Sequence, residues 1–208
     1  MKPNSLPDVI PNWINGQECA AVSRETFDKL SPDTGRKLFN VARSGSQDVQ
    51  NAIQAARLAQ ADWAERTPVQ RGEILHDIAQ AMRKHQKEIA EIVAMETGMS
   101  FASALGETGG AIAQGEFAAG EGRRFYGRTT TSAVPNKYAM TVRQPLGVAG
   151  LIIAANTPIA NVAWKVFPAL ICGNAAVLKA AEDTPATAWF FSRLAHEAGL
   201  PPGVLNVI

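Results

Sequence analysis

The sequence predicts an α/β fold whose parallel sheet is covered by helices on both faces. The last third of the chain predicts this fold, because three short apolar runs there are typical of buried strands, at residues 148–154, 175–179 and 204–208. A Thr-Pro pair follows each of the first two runs, with the prolines at Pro158 and Pro185. Such pairs are typical of the first turn of a helix. The predicted order is therefore strand, helix, strand, helix, strand.

This βαβαβ order is one half of a Rossmann-like doubly wound sheet, with right-handed crossovers between its parallel strands. We assign it to residues 147–208. Its last strand would be buried and parallel, yet the sequence stops at Ile208. A buried parallel strand is unusual at an unprotected terminus, so we expect that the native polypeptide continues.

Two segments open the chain. Over residues 1–45, short apolar runs alternate with turn residues and predict strands joined by turns. Residues 46–125 show helical periodicity and are predicted to form the helical part of the cofactor-binding domain. Within them we expect Ser46 to cap the first helix, and Thr67 to cap the second in a capping box with Gln70.

Two further features precede the parallel unit. Glycine and alanine dominate residues 101–124, which we predict to be a packing helix. A phosphate-binding loop is not expected there, because no strand precedes these glycines and they do not follow the G-x-G-x-x-G order. Residues 126–146 carry two β-prone runs around Pro135 and predict an exposed hairpin. Exposed strand edges need covering, so we expect a homo-oligomer formed through this hairpin.

Composition excludes several classes of protein. The apolar content of 46% and charged content of 19% are those of a globular protein. A net charge of +1, with no basic block, gives no support for nucleic-acid binding. No apolar core of a signal peptide opens the sequence, and polar residues interrupt the apolar stretch 148–164, so we predict no membrane span. The two cysteines, Cys19 and Cys172, lie far apart and suit a reducing compartment, which favours a cytoplasmic protein.

Ligands of doubly wound sheets bind where the carboxyl ends of the strands open. The residues at those ends are 154–156 and 179–182. The first of these turns lacks the glycine fingerprint of a conventional dinucleotide grip. From the residues alone, Asn156 could contact a ligand or cap the next helix, and Lys179 with Glu182 could bind a ligand or form a solvated salt bridge.

Several motifs together resemble the aldehyde dehydrogenase superfamily, and the resemblance covers practically the whole chain. The most specific block extends from Gly147 to Val207, where many unusual residue choices recur in order and at fixed spacing. The motifs of this block are IIAANTP at 152–158, AWK at 163–165, LKAAEDTP at 178–185 and EAGLPPGVLNV at 197–207. Upstream motifs are WING at 13–16, ETG at 96–98 and RQPLGV at 143–148.

The resemblance implies NAD(P)-dependent oxidation of a small-molecule aldehyde to a carboxylic acid. It implies that Asn156 donates its side-chain amide to the oxyanion formed when a cysteine thiolate attacks the aldehyde. Lys165 would support this asparagine or serve only the structure. Lys179 and Glu182 would hold the adenosine ribose, and a carboxylate there repels the 2′-phosphate of NADP, so we expect NAD as the preferred cofactor. The cofactor cleft would also be formed by Ile152, Ile153, Ala154, Ala155, Asn156 and Ala181.

The sequence departs from the family pattern in two respects. Alanines stand at 154 and 155 where proline and tryptophan are usual, and Thr157 stands where phenylalanine is frequent, which predicts a roomier substrate mouth. The resemblance also implies that the nucleophilic cysteine, the general-base glutamate and the catalytic domain lie beyond the position of Ile208. Cys19, in GQEC, imitates the nucleophile motif, but its neighbours match the family's amino-terminal strand, so we do not expect it to be the nucleophile. Cys172 is predicted to be a small core residue.

No metal site is predicted. His76, His85 and His196 have no partners at the spacing of a catalytic triad or metal site, and we expect surface or packing roles for them. The alternative to the enzyme is a catalytically inactive, truncated module that binds a nucleotide or another protein.

Overall fold

The computed structural model describes Pro3 and residues 5–208; Met1, Lys2 and Asn4, in the segment for which no signal peptide is predicted, lie outside the described residues. The strands of the described part are β1 Val9–Ile10, β2 Asn12–Ile14, β3 Gln17–Cys19, β4 Thr26–Leu30, β5 Lys37–Ala42, β6 Thr129–Thr131, β7 Tyr138–Met140, β8 Val148–Ile152, β9 Ala175–Lys179 and β10 Leu205–Val207. The helices of the same part are α1 Ser46–Glu65, α2 Pro68–Lys84, α3 Gln86–Thr97, α4 Phe101–Glu121, α5 Pro158–Ile171 and α6 Pro185–Glu197.

The predicted α/β fold is confirmed, and its main sheet is mixed. Strands β8, β9 and β10 are parallel, with α5 and α6 as the crossovers between them. The sheet order is β3-β2-β10-β9-β8, because the amino-terminal hairpin β2–β3 joins antiparallel to β10 through the pair Val207 and Trp13. A separate sheet has the order β1-β5-β4. The hairpin therefore extends the parallel unit at the edge opposite β8.

Strand β9 is buried on both faces, as its continuous apolar sequence requires. Ala175 and Val177 pack with Ala52 and Ala56 of α1. The alternate residues, which include Leu178, belong to the main core with α5 and α6. Because successive side chains of a strand point to opposite faces, α1 covers one face of the sheet and the two crossover helices cover the other.

Helix starts agree with the predictions in one case and differ in another. In α2, Thr67 Oγ1 accepts from Gln70 N at 3.2 Å and Gln70 Oε1 accepts from Thr67 N at 2.9 Å, as predicted. Ser46 does not cap α1, because it is already the first helical residue. The buried carboxylate of Asp48 serves this helix start instead and accepts from Gly45 N at 2.8 Å.

The β6–β7 hairpin lies on the surface, and every residue of both strands is exposed. Apolar side chains are prominent around it: Tyr138 is 80% exposed and Leu146 is 99% exposed. No helix among the described residues has both the length and the apolar character needed to cross a membrane.

Candidate functional site

Asn156 lies in the irregular segment between β8 and α5, at the carboxyl end of the strand. It is exposed, and it borders a cavity of about 630 Å³ together with Lys29, Glu96, Ala155 and Asp183. The structure therefore places Asn156 at the opening of the parallel sheet, as the sequence predicts. An exposed amide beside a cavity can donate a hydrogen bond to a ligand oxygen there.

Two side chains of α5 hold the segment that carries Asn156. Asn161 Nδ2 lies 3.0 Å from both Thr157 O and Thr157 Oγ1, and 3.5 Å from Asn156 Oδ1. Lys165 Nζ donates to Ile152 O at 2.7 Å and so attaches the end of β8 to the helix. Lys165 therefore contacts the backbone of the strand that leads to Asn156, while its role in a reaction stays a prediction.

A carboxylate from α4, which is distant in sequence but adjacent in space, caps α5. Glu107 Oε1 accepts from Ala160 N at 3.1 Å, in the first turn of α5. Burial raises the pKa of Glu107, and hydrogen bonds from the backbone of Ala160 and Ile159 oppose this rise. Thr157, the N-cap residue, makes no side-chain capping bond. Sequence reasoning missed Glu107, because nothing local links position 107 with a helix start 53 residues away.

Glu96 caps α6 in the same way. Its buried carboxylate accepts from Ala186 N at 2.7 Å, from Thr187 N at 2.9 Å and from Thr187 Oγ1 at 2.7 Å. Burial raises the pKa of Glu96 to about 7, and the three hydrogen bonds and the charge of Lys29 oppose the rise. This link between α3 and α6 forms one wall of the Asn156 cavity.

The second predicted cluster lies at the end of β9. Lys179 Nζ and Glu182 Oε2 are 2.9 Å apart, both side chains are largely exposed, and the hydrogen bond from Lys179 lowers the pKa of Glu182. They line a cavity of about 570 Å³ with Arg43. Lys29 and Asp183 line this cavity as well as the Asn156 cavity, so the two predicted clusters open onto adjoining spaces.

Arg43 was missed by sequence reasoning. Its guanidinium lies 5.2 Å from the centroid of the Phe27 ring, and it lines both cavities that Lys179 and Glu182 line. The smaller of these cavities, about 260 Å³, also includes the backbone turn at Ala181. An arginine after a short strand carries no local signal of a ligand site.

The remaining predicted cleft residues divide between groove and core. Ile152 is 71% exposed and lines an apolar groove of about 430 Å³ between β8 and α1, which Lys179 also lines. Ala154 is exposed and Ala155 is half-buried. The side chain of Ile153 is buried in the main core, so only the backbone of this residue could contribute to the predicted cofactor cleft.

Neither cysteine has the environment of an activated nucleophile. Burial raises the pKa of both thiols, with the charge of Asp48 adding to the effect at Cys19, whereas a catalytic thiol has a lowered pKa. Cys172 follows the last residue of α5, and Asn156 lies two residues before its first residue, Pro158. A helix of 14 residues separates them, about 20 Å in length.

The histidines lie apart from these clusters. His85 Nδ1 is 2.9 Å from Glu88 Oε2, and the His196 ring packs on Trp13 with centroids 5.7 Å apart. His76 lines a groove on the outer side of α2 and α4. Within the part of the chain that the structure describes, no group of three or more His, Cys, Asp or Glu residues could hold a metal ion.

Comparison with known sequences gives one consistent result. The family model described as "Aldehyde dehydrogenase family" matches residues 19–208. The aldehyde dehydrogenase family 2 member B4, mitochondrial, of Arabidopsis thaliana is 38% identical over 198 residues, which are 94% of this chain and 37% of the relative. The NADP/NAD-dependent aldehyde dehydrogenase PuuC of Escherichia coli is 36% identical over 94% of this chain and 40% of its own length.

Solved structures agree. A crystal structure of an NADP-dependent enzyme of E. coli superposes with a TM-score of 0.94 at 36% identity and covers 96% of this chain and 41% of that protein. An NAD-dependent aldehyde dehydrogenase of Sinorhizobium meliloti superposes with a TM-score of 0.93 at 30% identity over 98% of this chain and 41% of that protein. The chain thus spans about 40% of the length of the proteins it matches.

Proposed function

This chain belongs to the aldehyde dehydrogenase family, and we propose that it is the amino-terminal part of an enzyme that oxidises an aldehyde to a carboxylic acid with NAD or NADP. The observation that carries the proposal is the position of Asn156, exposed at the carboxyl end of β8 beside a large cavity. In this proposal the cysteine nucleophile and the general-base glutamate lie in a part of the enzyme that these 208 residues do not include.

Asn156 is the residue of this chain that acts on the substrate. When the thiolate attacks the carbonyl carbon, negative charge develops on the aldehyde oxygen. A neutral amide donor fixed at that point stabilises the charge without having to reorganise during the reaction. Lys165 and Glu107 hold the two ends of the Asn156 segment, the former through Ile152 O and the latter through the first turn of α5.

The residues at the end of β9 fit the adenosine half of NAD. Lys179 offers a donor and Glu182 an acceptor, 2.9 Å apart, which is the pair of functions that two neighbouring ribose hydroxyls require. The turn at Ala181 and the backbone of residues 152–155 would form the adjacent walls. A nicotinamide cofactor bound there would supply the acceptor for the substrate hydride. The relatives include an enzyme named as dependent on NADP or NAD, which supports this class of cofactor.

The oligomeric state and location belong to the proposal as well. We propose that the β6–β7 hairpin packs against a second copy of the enzyme, because Tyr138, Met140, Val142 and Leu146 expose a strip of apolar surface around it. A cytoplasmic location is supported by the two free cysteines, whereas two relatives are named as mitochondrial.

We expect the 208-residue chain by itself to form no NADH from aldehydes. Hydride can leave only a tetrahedral adduct, and neither Cys19 nor Cys172 has the lowered pKa of a thiol that could form one. The measurement is NADH fluorescence with the purified chain, NAD and a panel of aldehydes. NADH formation that Cys19→Ser abolishes would contradict both this expectation and our rejection of Cys19. Full-length enzyme that is also inactive would favour the inactive module instead.

We expect the full-length enzyme to prefer NAD, and Glu182→Ser to shift the ratio of kcat/KM toward NADP by several-fold or more. The 2′-phosphate of NADP would meet the like charge of Glu182, while Lys179 and Arg43 would attract it, so removing this carboxylate lowers the repulsion and keeps both attractive charges in place. The control is Glu121→Ser, which removes a partly exposed glutamate that is also paired at i,i+3, with Arg124. A wild-type preference for NADP, or a ratio that Glu182→Ser leaves unchanged, would show that Glu182 does not select the cofactor.

A further inference from the structure

The amide of Asn161 faces the oxygen of the Asn156 amide. Asn161 lies in the first turn of α5, and its Nδ2 reaches back to four acceptor oxygens of the preceding segment. The two nearest belong to Thr157, at 3.0 Å, and the other two are Asn156 Oδ1 and Ala154 O, both at 3.5 Å. The donors of the Asn161 amide are therefore directed mainly at Thr157, and its positive side lies at longer range beside Asn156 Oδ1.

This contact distinguishes the two ways in which the Asn156 amide can be oriented. Rotation by half a turn exchanges Oδ1 and Nδ2 of an asparagine, and hydrogen-bond partners decide between the two orientations. Asn161 is the only partner of the Asn156 side chain among the described residues, and it is a donor. It favours the orientation in which Oδ1 faces the helix and Nδ2 remains free to donate outward.

The fold does not need Asn161 to start the helix. Glu107 already caps α5 through Ala160 N, and Lys165 attaches the end of β8. The side chain of Thr157, which would cap the helix in other circumstances, accepts from Asn161 instead of from a helix amide. Asn161 thus ties down the short segment between strand and helix, and that segment contains Asn156.

We propose that Asn161 is a positioning residue, which holds the Asn156 amide with Nδ2 directed toward the oxygen of the reacting aldehyde. This inference rests on the proposed function, because it gives Asn161 a role only through Asn156. An amide in the opposite orientation would present Oδ1 to the developing negative charge and would oppose the reaction. Because Nδ2 points outward before the substrate binds, the donor does not have to reorganise during the reaction.

The test uses the full-length enzyme with Asn161→Leu, which removes the donor at similar volume, and Asn161→Asp, which replaces it by acceptors that repel Asn156 Oδ1. We expect kcat to fall roughly tenfold in the leucine variant and further in the aspartate variant, within the hundredfold that one oxyanion donor contributes. The KM for NAD should stay unchanged. Asn51→Leu, which replaces a partly exposed asparagine of α1, is the control and should have wild-type kinetics.

The same two substitutions made in an Asn156→Ala background separate positioning from a general structural effect. If Asn161 acts through Asn156, they should change kcat little once Asn156 is gone. A loss that persists undiminished there, or wild-type kcat in both single variants, would overturn the inference while leaving the proposed function intact. If Asn156→Ala itself leaves kcat unchanged, the proposed role of Asn156 fails, and the role of Asn161 fails with it.

Discussion

Replacing Asn156 by alanine in the full-length enzyme should lower kcat by about a hundredfold or more, the order of effect seen when one oxyanion donor is removed. The affinity for NAD should change little. The amide would act where charge develops in the transition state, so its loss raises the barrier without weakening the ground-state complex. Steady-state kcat and NAD binding by fluorescence titration provide the two measurements.

Two further variants make this expectation specific. Asn156→Asp keeps the size of the side chain but replaces the donor by a carboxylate, so it should be at least as impaired as the alanine variant. Asn51→Ala changes a partly exposed asparagine of α1, outside this site, and should be far less impaired. If kcat in Asn156→Ala equals the wild-type value while chemistry limits the rate, Asn156 has no part in the reaction and the proposed mechanism loses its oxyanion donor.

Local sequence patterns sufficed for the elements around this site. The continuous apolar runs marked β8 and β9, and prolines at 158 and 185 marked the first residues of α5 and α6. The position of Asn156 at the sheet opening followed from the general rule for parallel sheets. These features depend on residues within one element or at its border, and the sequence shows such relations directly.

The same local patterns could not predict contacts between residues that are far apart in sequence. The pairing of β2 with β10 joins residues at opposite ends of the chain, and the capping carboxylates Glu96 and Glu107 come from helices far away in sequence. Ser46 shows that a prediction from local sequence can also fail. It is a favourable capping residue by type, but Asp48 is buried and reaches Gly45 N, so the helix begins one residue earlier than a serine cap would require.

Glu96 offers the largest expected effect on stability, because no other side chain among the described residues caps the start of α6. Thr184, the N-cap residue, makes no side-chain capping bond, whereas the Glu96 carboxylate accepts three hydrogen bonds from Ala186 and Thr187. Only 2% of Glu96 is exposed, so its removal would leave buried amides without partners. The loss of a cap and of buried hydrogen bonds predicts a destabilisation of about 2–4 kcal/mol for Glu96→Ala at pH 5.

This difference between wild type and Glu96→Ala should shrink as the pH rises from 5 to 8. Burial raises the pKa of Glu96 to about 7 from an ordinary value of 4.5. Between these two values the folded protein holds a proton that the unfolded chain has released, so the wild type loses about 1.4 kcal/mol of stability per pH unit. The contribution of Glu96 is thus fully present below pH 4.5 and is lost as the pH rises through about 7.

Denaturant unfolding of wild type and Glu96→Ala at several pH values measures the difference in their free energies of unfolding. The control is Glu91→Ala, at an exposed position of the same helix, which should show a small difference that does not vary with pH. A gap for Glu96→Ala that stays constant or widens toward pH 8 would mean that Glu96 is already ionised at acidic pH in the folded protein, held so by its three donors and the nearby Lys29.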